Sequence, residues 1–375
     1  LSGPARLTAA ALVGLVLTLP AFALNRSKQA AERTFPIEGR CAHDVERLLT
    51  SKERLRANVM GFNTASLIDP NAKQHLQGIA RFEAGGKQFL FVSQSSKRGE
   101  GGLLATVEMG SRGEGRWRSN RQFFINGRAS FYTAPHAADR VVAVKRDESF
   151  ADYFHPGGLA IHRNILAVGM EGAHNESTHA RGRVDLYRIQ SPTSLKLINS
   201  VPNSGQLAAA VAFTRLSSGA YLFAVPDNSP KNIRFYRSVG TAELDEETRF
   251  EHVAVFSEAD LRPGDNNYFQ NVDFVTDCAS GRLYMVLAFQ DHDWLGLWQK
   301  NRIARYEIRD PDGDLNLRHL GRQKVDCSPH LAGKVCDFDA SFGAYVTSEG
   351  KLIYYASEHA NTGPGGSVSL AEIVP

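Results

Sequence analysis

Residues 77–94 read QGIARFEAGGKQFLFVSQ: a polar start, a short apolar run, a glycine-bearing turn and a second apolar run. The same order returns in GGLAIHRNILAVGME (157–171), AAVAFTRLSSGAYLFAVPD (209–227), QNVDFVTDCASGRLYMVLAFQ (270–290) and ASFGAYVTSEGKLIYYASE (340–358). Short apolar runs bounded by turn residues read as strands, and the glycines of AGGK, SSG, ASG and SEG supply the positive φ that tight hairpins need. A third run follows each copy: GLLATVE (102–108), GRVDLYRI (182–189), NIRFYRS (232–238), RIARYEI (302–308) and SVSLAEI (367–373). One such unit cannot cover its own apolar faces, so the copies must stack, and radial stacking of antiparallel sheets gives an all-β propeller.

The copies predict five blades. Aligned on Gly78, Gly158, Ala210, Asn271 and Ser341, they are spaced by 80, 52, 61 and 70 residues, longer and less regular than a WD40 unit of ~40–45 residues. Loops therefore carry much of the length. Outer fourth strands are expected at 118–125, 195–201, 252–256 and 315–320, but the last copy meets Pro375 directly after its third strand. An unpaired outer edge is a liability, so NVMGFNTASLI (58–68) is expected to supply the missing strand and close the ring. Six blades are the alternative, because RVVAVKR (140–146) is otherwise unused.

Ahead of the ring, Arg6, the apolar run Ala9 to Leu19 and Ala21-Phe22-Ala23 have the order of a signal peptide over residues 1–23. Residues 24–57 then form an extension with a short helix, suggested by Val45, Leu48, Leu49 and Leu55, and residues 58–375 form the propeller. The expected product is exported, periplasmic or extracellular, with no membrane span in the mature chain. Export makes disulfides favourable. Cys327 and Cys336 are nine residues apart and can close one bridge, leaving Cys41 and Cys278 for a second, although four cysteines allow three pairings. A net charge of +3 with both signs mixed along the chain argues against nucleic acid as a partner.

In an antiparallel hairpin, the start of the first strand and the end of the second share an edge. Repeated around a ring, those positions converge on one face. Strand starts bring His75, Gln77, His155, Gln206, Asn271 and Asp339, while strand ends bring Gln94, Glu171, Asp227, Gln290, Asp291, His292, Glu358 and His359. The opposite edge is expected to be mostly Gly/Ser turns. Glu171, Asp227, Asn271, Asp339 and Glu358 form an oxygen-rich set suited to Ca²⁺ or to carboxylate acid–base chemistry. His75 and His155 occupy equivalent positions in HLQG and HPGG and are candidate bases, and Trp294 lies in a loop that could offer an aromatic platform. Asp310-Pro-Asp-Gly-Asp314 has acidic spacing but lacks the downstream Glu of an EF-hand, so it reads as a turn.

Over residues 58–375 the units resemble exported bacterial β-propeller repeat proteins in general. That resemblance implies glycoside hydrolases with central carboxylates or sugar-binding lectins among five-bladed rings, and calcium-dependent lactonases among six-bladed ones. Three functions follow: a ring binding a small molecule, glycan or protein on the polar face; a metal-dependent or carboxylate-based hydrolase of a lactone, ester or glycan using the same pocket; or a structural envelope protein.

Overall fold

A computed structural model describes residues 40–63, 75–95, 102–109, 122–125, 128–131, 140–145, 153–172, 181–203, 205–228, 231–240, 242–261, 269–292, 299–327, 336, 338, 341–357 and 367–375. The first elements among the described residues are helix α1 (Val45–Thr50) and strand β1 (Arg54–Asn63). Blade 1 follows with β2 (Leu76–Ala84), β3 (Lys87–Gln94) and β4 (Leu103–Met109); a separate hairpin, β5 (Gln122–Ile125) and β6 (Arg128–Phe131), precedes its outer strand β7 (Arg140–Lys145). Blade 2 is β8 (His155–His162), β9 (Ile165–Glu171), β10 (Gly182–Ser191) and β11 (Ser194–Pro202). Blade 3 is β12 (Ala212–Arg215), β13 (Tyr221–Asn228), β14 (Lys231–Ser238) and β15 (Phe250–Phe256), followed by the short helix α2 (Glu258–Leu261). Blade 4 is β16 (Phe269–Thr276), β17 (Leu283–His292), β18 (Gln299–Arg309) and β19 (Asn316–Asp326); blade 5 contains β20 (Ser341–Val346), β21 (Leu352–Ser357) and β22 (Ser367–Ile373).

The protein is a five-bladed β-propeller. Inner strand β2 packs against β8 and β20, β8 against β12, β12 against β16, and β16 against β20, which completes the circle. Small residues permit this crowding. A Cβ on Gly157 would overlap the Ala209 carbonyl, and one on Gly343 would overlap that of Ile79; Ala208 to Ala210 and Ala212 are buried for the same reason. Apolar residues fill the wedges between blades. Phe82, Phe91, Leu166 and Met170 join blades 1 and 2, for example, and Phe235, Met285, Leu287 and Tyr306 join blades 3 and 4.

Closure uses the strand expected from the sequence. Ala57 to Asn63 pair antiparallel with Ile373 to Ser367, giving blade 5 its fourth strand. The start of β1 also pairs parallel with β19, Arg54 opposite Lys324, so blades 4 and 5 share one eight-stranded sheet. Residues 64–68 of the expected segment lie outside the described residues. Two expectations need correction. RVVAVK is the outer strand of blade 1, paired with β4, rather than the seed of a sixth blade, and the 118–125 stretch contributes β5 to a separate hairpin. Helix α1 stops at Thr50, and Leu55 is a buried strand residue.

Both disulfides form as expected, Cys41–Cys278 and Cys327–Cys336. The first ties the segment before α1 to blade 4, where Asp277 Oδ2 also accepts the Val45 N–H at 2.9 Å. Asp310 to Asp314 form the β18–β19 turn, with the Asp314 N–H donating to Asp310 Oδ2 at 2.9 Å. No helix among the described residues is long and apolar enough to cross a membrane. The proposed signal peptide lies outside those residues.

Candidate functional site

Strand register brings the expected residues to one edge. Leu76 pairs with Gln94, His155 with Glu171 and Ser341 with Ser357, so inner-strand starts and second-strand ends do meet. Gln77, Gln94, Glu171, Asp227, Asn271 and Gln290 are all buried there. Gln206 precedes the inner strand of blade 3 and is half-buried.

A chain of polar contacts runs across blades 1 and 2. Ser95 Oγ lies 2.9 Å from His75 Nδ1, His75 Nε2 lies 3.4 Å from His155 Nε2, and His155 Nδ1 lies 2.7 Å from Glu171 Oε2. One proton arrangement serves the two hydrogen bonds, while His155 Nδ1 lies close to the Glu171 carboxylate without hydrogen-bond geometry. The Ser95 hydroxyl donates to His75, His75 Nε2–H donates to His155, and His155 Nδ1–H faces the Glu171 carboxylate. The His155 side chain is 21% exposed against 9% for Glu171, so the ring reaches solvent while its acid is shielded. The blade contact is fixed by Ser93 Oγ donating to the Gly157 carbonyl at 2.5 Å.

Other blades add oxygen atoms. Asn271 Oδ1 lies 2.8 Å from where a Cβ on Gly158 would sit, so the amide of blade 4 reaches blade 2, and a side chain at 158 would displace it. Glu171 Oε1, Gln77 Oε1 and Gln206 Oε1 are buried with no hydrogen-bond partner among the described residues. Gln290 is turned elsewhere: its Nε2 donates to Asn301 Oδ1 at 3.0 Å, and Asn301 Nδ2 donates to the Cys336 carbonyl at 2.9 Å. That pair fastens the Cys327–Cys336 loop. Asn301 sits within RIARYEI's parent strand and carries no motif; its only sequence signal is an amide two residues before a buried apolar run.

Asp291 and His292 end β17. Trp294, Asp339, Glu358 and His359 lie outside the described residues. Among the described residues, no group of three or more His, Cys, Asp and Glu converges to hold a metal ion. The far edge departs from expectation. Besides Gly/Ser turns, it opens on a cavity lined by Arg40, Arg81, Glu83 and His162, with Asp273 deeper, mid-strand in β16. An acid inside the apolar strand QNVDFVT was the available sequence signal for that cavity.

No family model matches the sequence, and no curated protein matches it. Among solved structures, the chain is similar to a thermostable family-43 glycoside hydrolase, with 10% identity, a TM-score of 0.41, and 81% of this chain and 91% of that one covered. It is also similar to a Phanerochaete chrysosporium exo-β-1,3-galactanase with galactose, at 9% identity and a TM-score of 0.43, covering 86% of this chain and 63% of that one. A Bombyx mori GH32 β-fructofuranosidase mutant in complex with sucrose gives 10% identity, a TM-score of 0.43, and coverage of 81% and 63%. The chain thus spans about three fifths of the last two proteins.

Proposed function

We propose that the polar face binds a glycan and hydrolyses it, with the His155–Glu171 pair moving the proton. The observation that carries this reading is the set of buried acceptors Gln77 Oε1, Glu171 Oε1 and Gln206 Oε1, drawn from three blades and lacking donors among the described residues. Buried acceptors need donors. A polyhydroxylated ligand supplies several O–H groups at once, whereas an anion or an apolar ligand supplies none.

The Glu171 carboxylate beside Nδ1 favours a proton on that atom, leaving Nε2 as the basic atom of a partly exposed ring. Once a ligand parts its Nε2 from that of His75, His155 can take a proton from an attacking water and return it to the leaving group. Positioned acid–base groups of this kind contribute roughly 10²–10⁴-fold to a rate. The paired disulfides fit an oxidising, extracytoplasmic location.

The test is calorimetric titration of the full chain with a panel of oligosaccharides, followed by turnover assays with aryl glycosides, lactones and aryl esters. Binding of at least one glycan is expected, with Gln77→Ala weakening it. Glu171→Gln is expected to cut turnover by about 100- to 10,000-fold while leaving binding largely intact. Absence of glycan binding would sink the proposal. Binding without turnover of any substrate would leave a recognition ring and remove the hydrolytic step.

A further inference from the structure

The inner strands run from the polar face to a second mouth at the other end of the axis, and each contributes a side chain there. Arg81 of β2, His162 of β8, Thr214 of β12, Asp273 of β16 and Tyr345 of β20 surround a cavity of about 100 Å³. With roughly 10–15 Å³ needed per water, the space suits several waters or one small organic molecule. Asp273 sits mid-strand in β16, and neither His155 nor Glu171 is among the residues that line this cavity.

Positive charge dominates the lining. Glu83 is paired with Arg40 at 2.9 Å and with Arg81 at 3.5 Å. Arg81, whose side chain is only 8% exposed, sits 4.4 Å over the Tyr345 ring and donates to the Tyr355 hydroxyl. Its Nε is buried with no hydrogen-bond partner among the described residues. Asp273 is the other acid, and burial pushes its carboxyl well above the usual aspartate range, which favours the neutral form. Three guanidiniums, those of Arg40, Arg81 and Arg163, therefore face one ionised carboxylate.

Arg163 supplies an independent observation. It occupies the β8–β9 turn at φ 52°, a conformation that normally selects glycine, asparagine or aspartate. Backbone strain of this kind concentrates at functional positions. The side chain lines the cavity with no hydrogen bond or close ion pair among the described residues, its charge acting at longer range on Glu243 and His162. Beside it, Ile161, Phe274 and Val346 form partly exposed apolar walls.

We propose that this second mouth binds a small organic acid, its carboxylate held by Arg163 and Arg81 and its hydrocarbon body resting on Ile161 and Phe274. Inorganic phosphate shares the oxyanion chemistry but gains nothing from the apolar walls. A neutral amide of the same shape gains nothing from the guanidiniums. Recognition requires both parts.

The test is thermal unfolding and calorimetry of the full chain with butyrate, benzoate, butyramide and inorganic phosphate, all at matched ionic strength. Butyrate or benzoate should raise the midpoint saturably, and butyramide should not. Arg163→Gly relieves the positive φ while removing the charge, so its ligand-free midpoint should equal or exceed the parent's. Carboxylate affinity in that variant should fall about tenfold or more, the factor that corresponds to losing one charge-assisted contact. Arg163→Lys should restore part of it. Equal shifts with chloride, a response to phosphate alone, or affinity unchanged by Arg163→Gly would each overturn the proposal.

Discussion

Asp273 and His162 show how the ring's interior sets protonation. Burial raises the Asp273 carboxyl, and the Ala344 N–H donated to Oδ2 at 2.5 Å only partly opposes it. The folded state therefore keeps a proton that the unfolded chain releases above about pH 4. By linkage, this residue contributes fully below that pH, and its contribution is lost as pH rises. Asp273→Asn retains the acceptor and has no proton to retain, so it should melt higher than the parent at pH 7. The gap should close on acidification below about pH 4, where Asp273 is protonated in both states. A lower midpoint for the variant at every pH would show that the ionised form is the one the fold holds. His162 behaves oppositely. Burial, with Arg163 and Arg215 nearby, lowers its pKa to about 4, so stability present above the unfolded value of about 6.5 falls as pH approaches about 4. That acid-side slope should survive in Asp273→Asn, since burial, Arg163, Arg215 and Glu243, not Asp273, set the His162 pKa.

At the scale of strands, the hairpins were legible because each is a local event: an apolar run, a glycine turn and a second run. What the sequence left ambiguous was the outer strand of blade 1. Residues 118–125 and RVVAVK both have strand composition, and the choice between them rests on pairing with β4 across more than thirty residues of chain. Local propensity carries no information about that pairing. Helix α1 was overextended for a related reason: Leu55 fits helical spacing, but β19 captures its backbone in a parallel ladder. The cysteine pairs were readable, and they differ in reach. Cys41–Cys278 spans 237 residues and Cys327–Cys336 spans nine. Chain-entropy scaling assigns about 5 kcal/mol to the long loop and about 2–3 kcal/mol to the short one. Replacing Cys41 and Cys278 by serine should accordingly lower the unfolding midpoint more than replacing Cys327 and Cys336, as measured by calorimetry. The reverse order would mean that the short bridge supports the pocket wall beyond its loop entropy, through Asn301 and Gln290.

For the molecule as a whole, the polar face was anticipated because ring symmetry turns a repeated edge into a single locus. His75 and His155 were recognisable as equivalent positions, but their mutual contact is visible only in the structure. The second mouth was not anticipated, since its chemistry comes from residues at different depths in five inner strands and from Arg40 outside the repeats. The same architecture determines how the protein should unfold. Apolar clusters lie between blades: Tyr345 and Tyr355 of blade 5 pack with Leu90 and Val92 of blade 1, and Phe213 and Phe223 of blade 3 pack with Ala167 and Leu186 of blade 2. A single blade therefore has little core of its own, and nearest-neighbour terms dominate as in other repeat arrays. Without closure, such an array would fray from its terminal repeats. Here β1 removes the terminal edge by pairing with β22 and β19 together. Far-UV and aromatic circular dichroism of the intact chain should consequently report one coincident thermal transition. A chain starting at residue 64 lacks β1 and exposes the edge of blade 5; since it also loses the Cys41–Cys278 bridge, its reference is the full chain with Cys41 and Cys278 replaced by serine. Its transition should begin at lower temperature and the two signals should separate, because blades 4 and 5 lose their shared strand while blades 2 and 3 keep their neighbours. A truncated chain that melts as sharply and as late as that reference would show that packing among inner strands alone closes the ring.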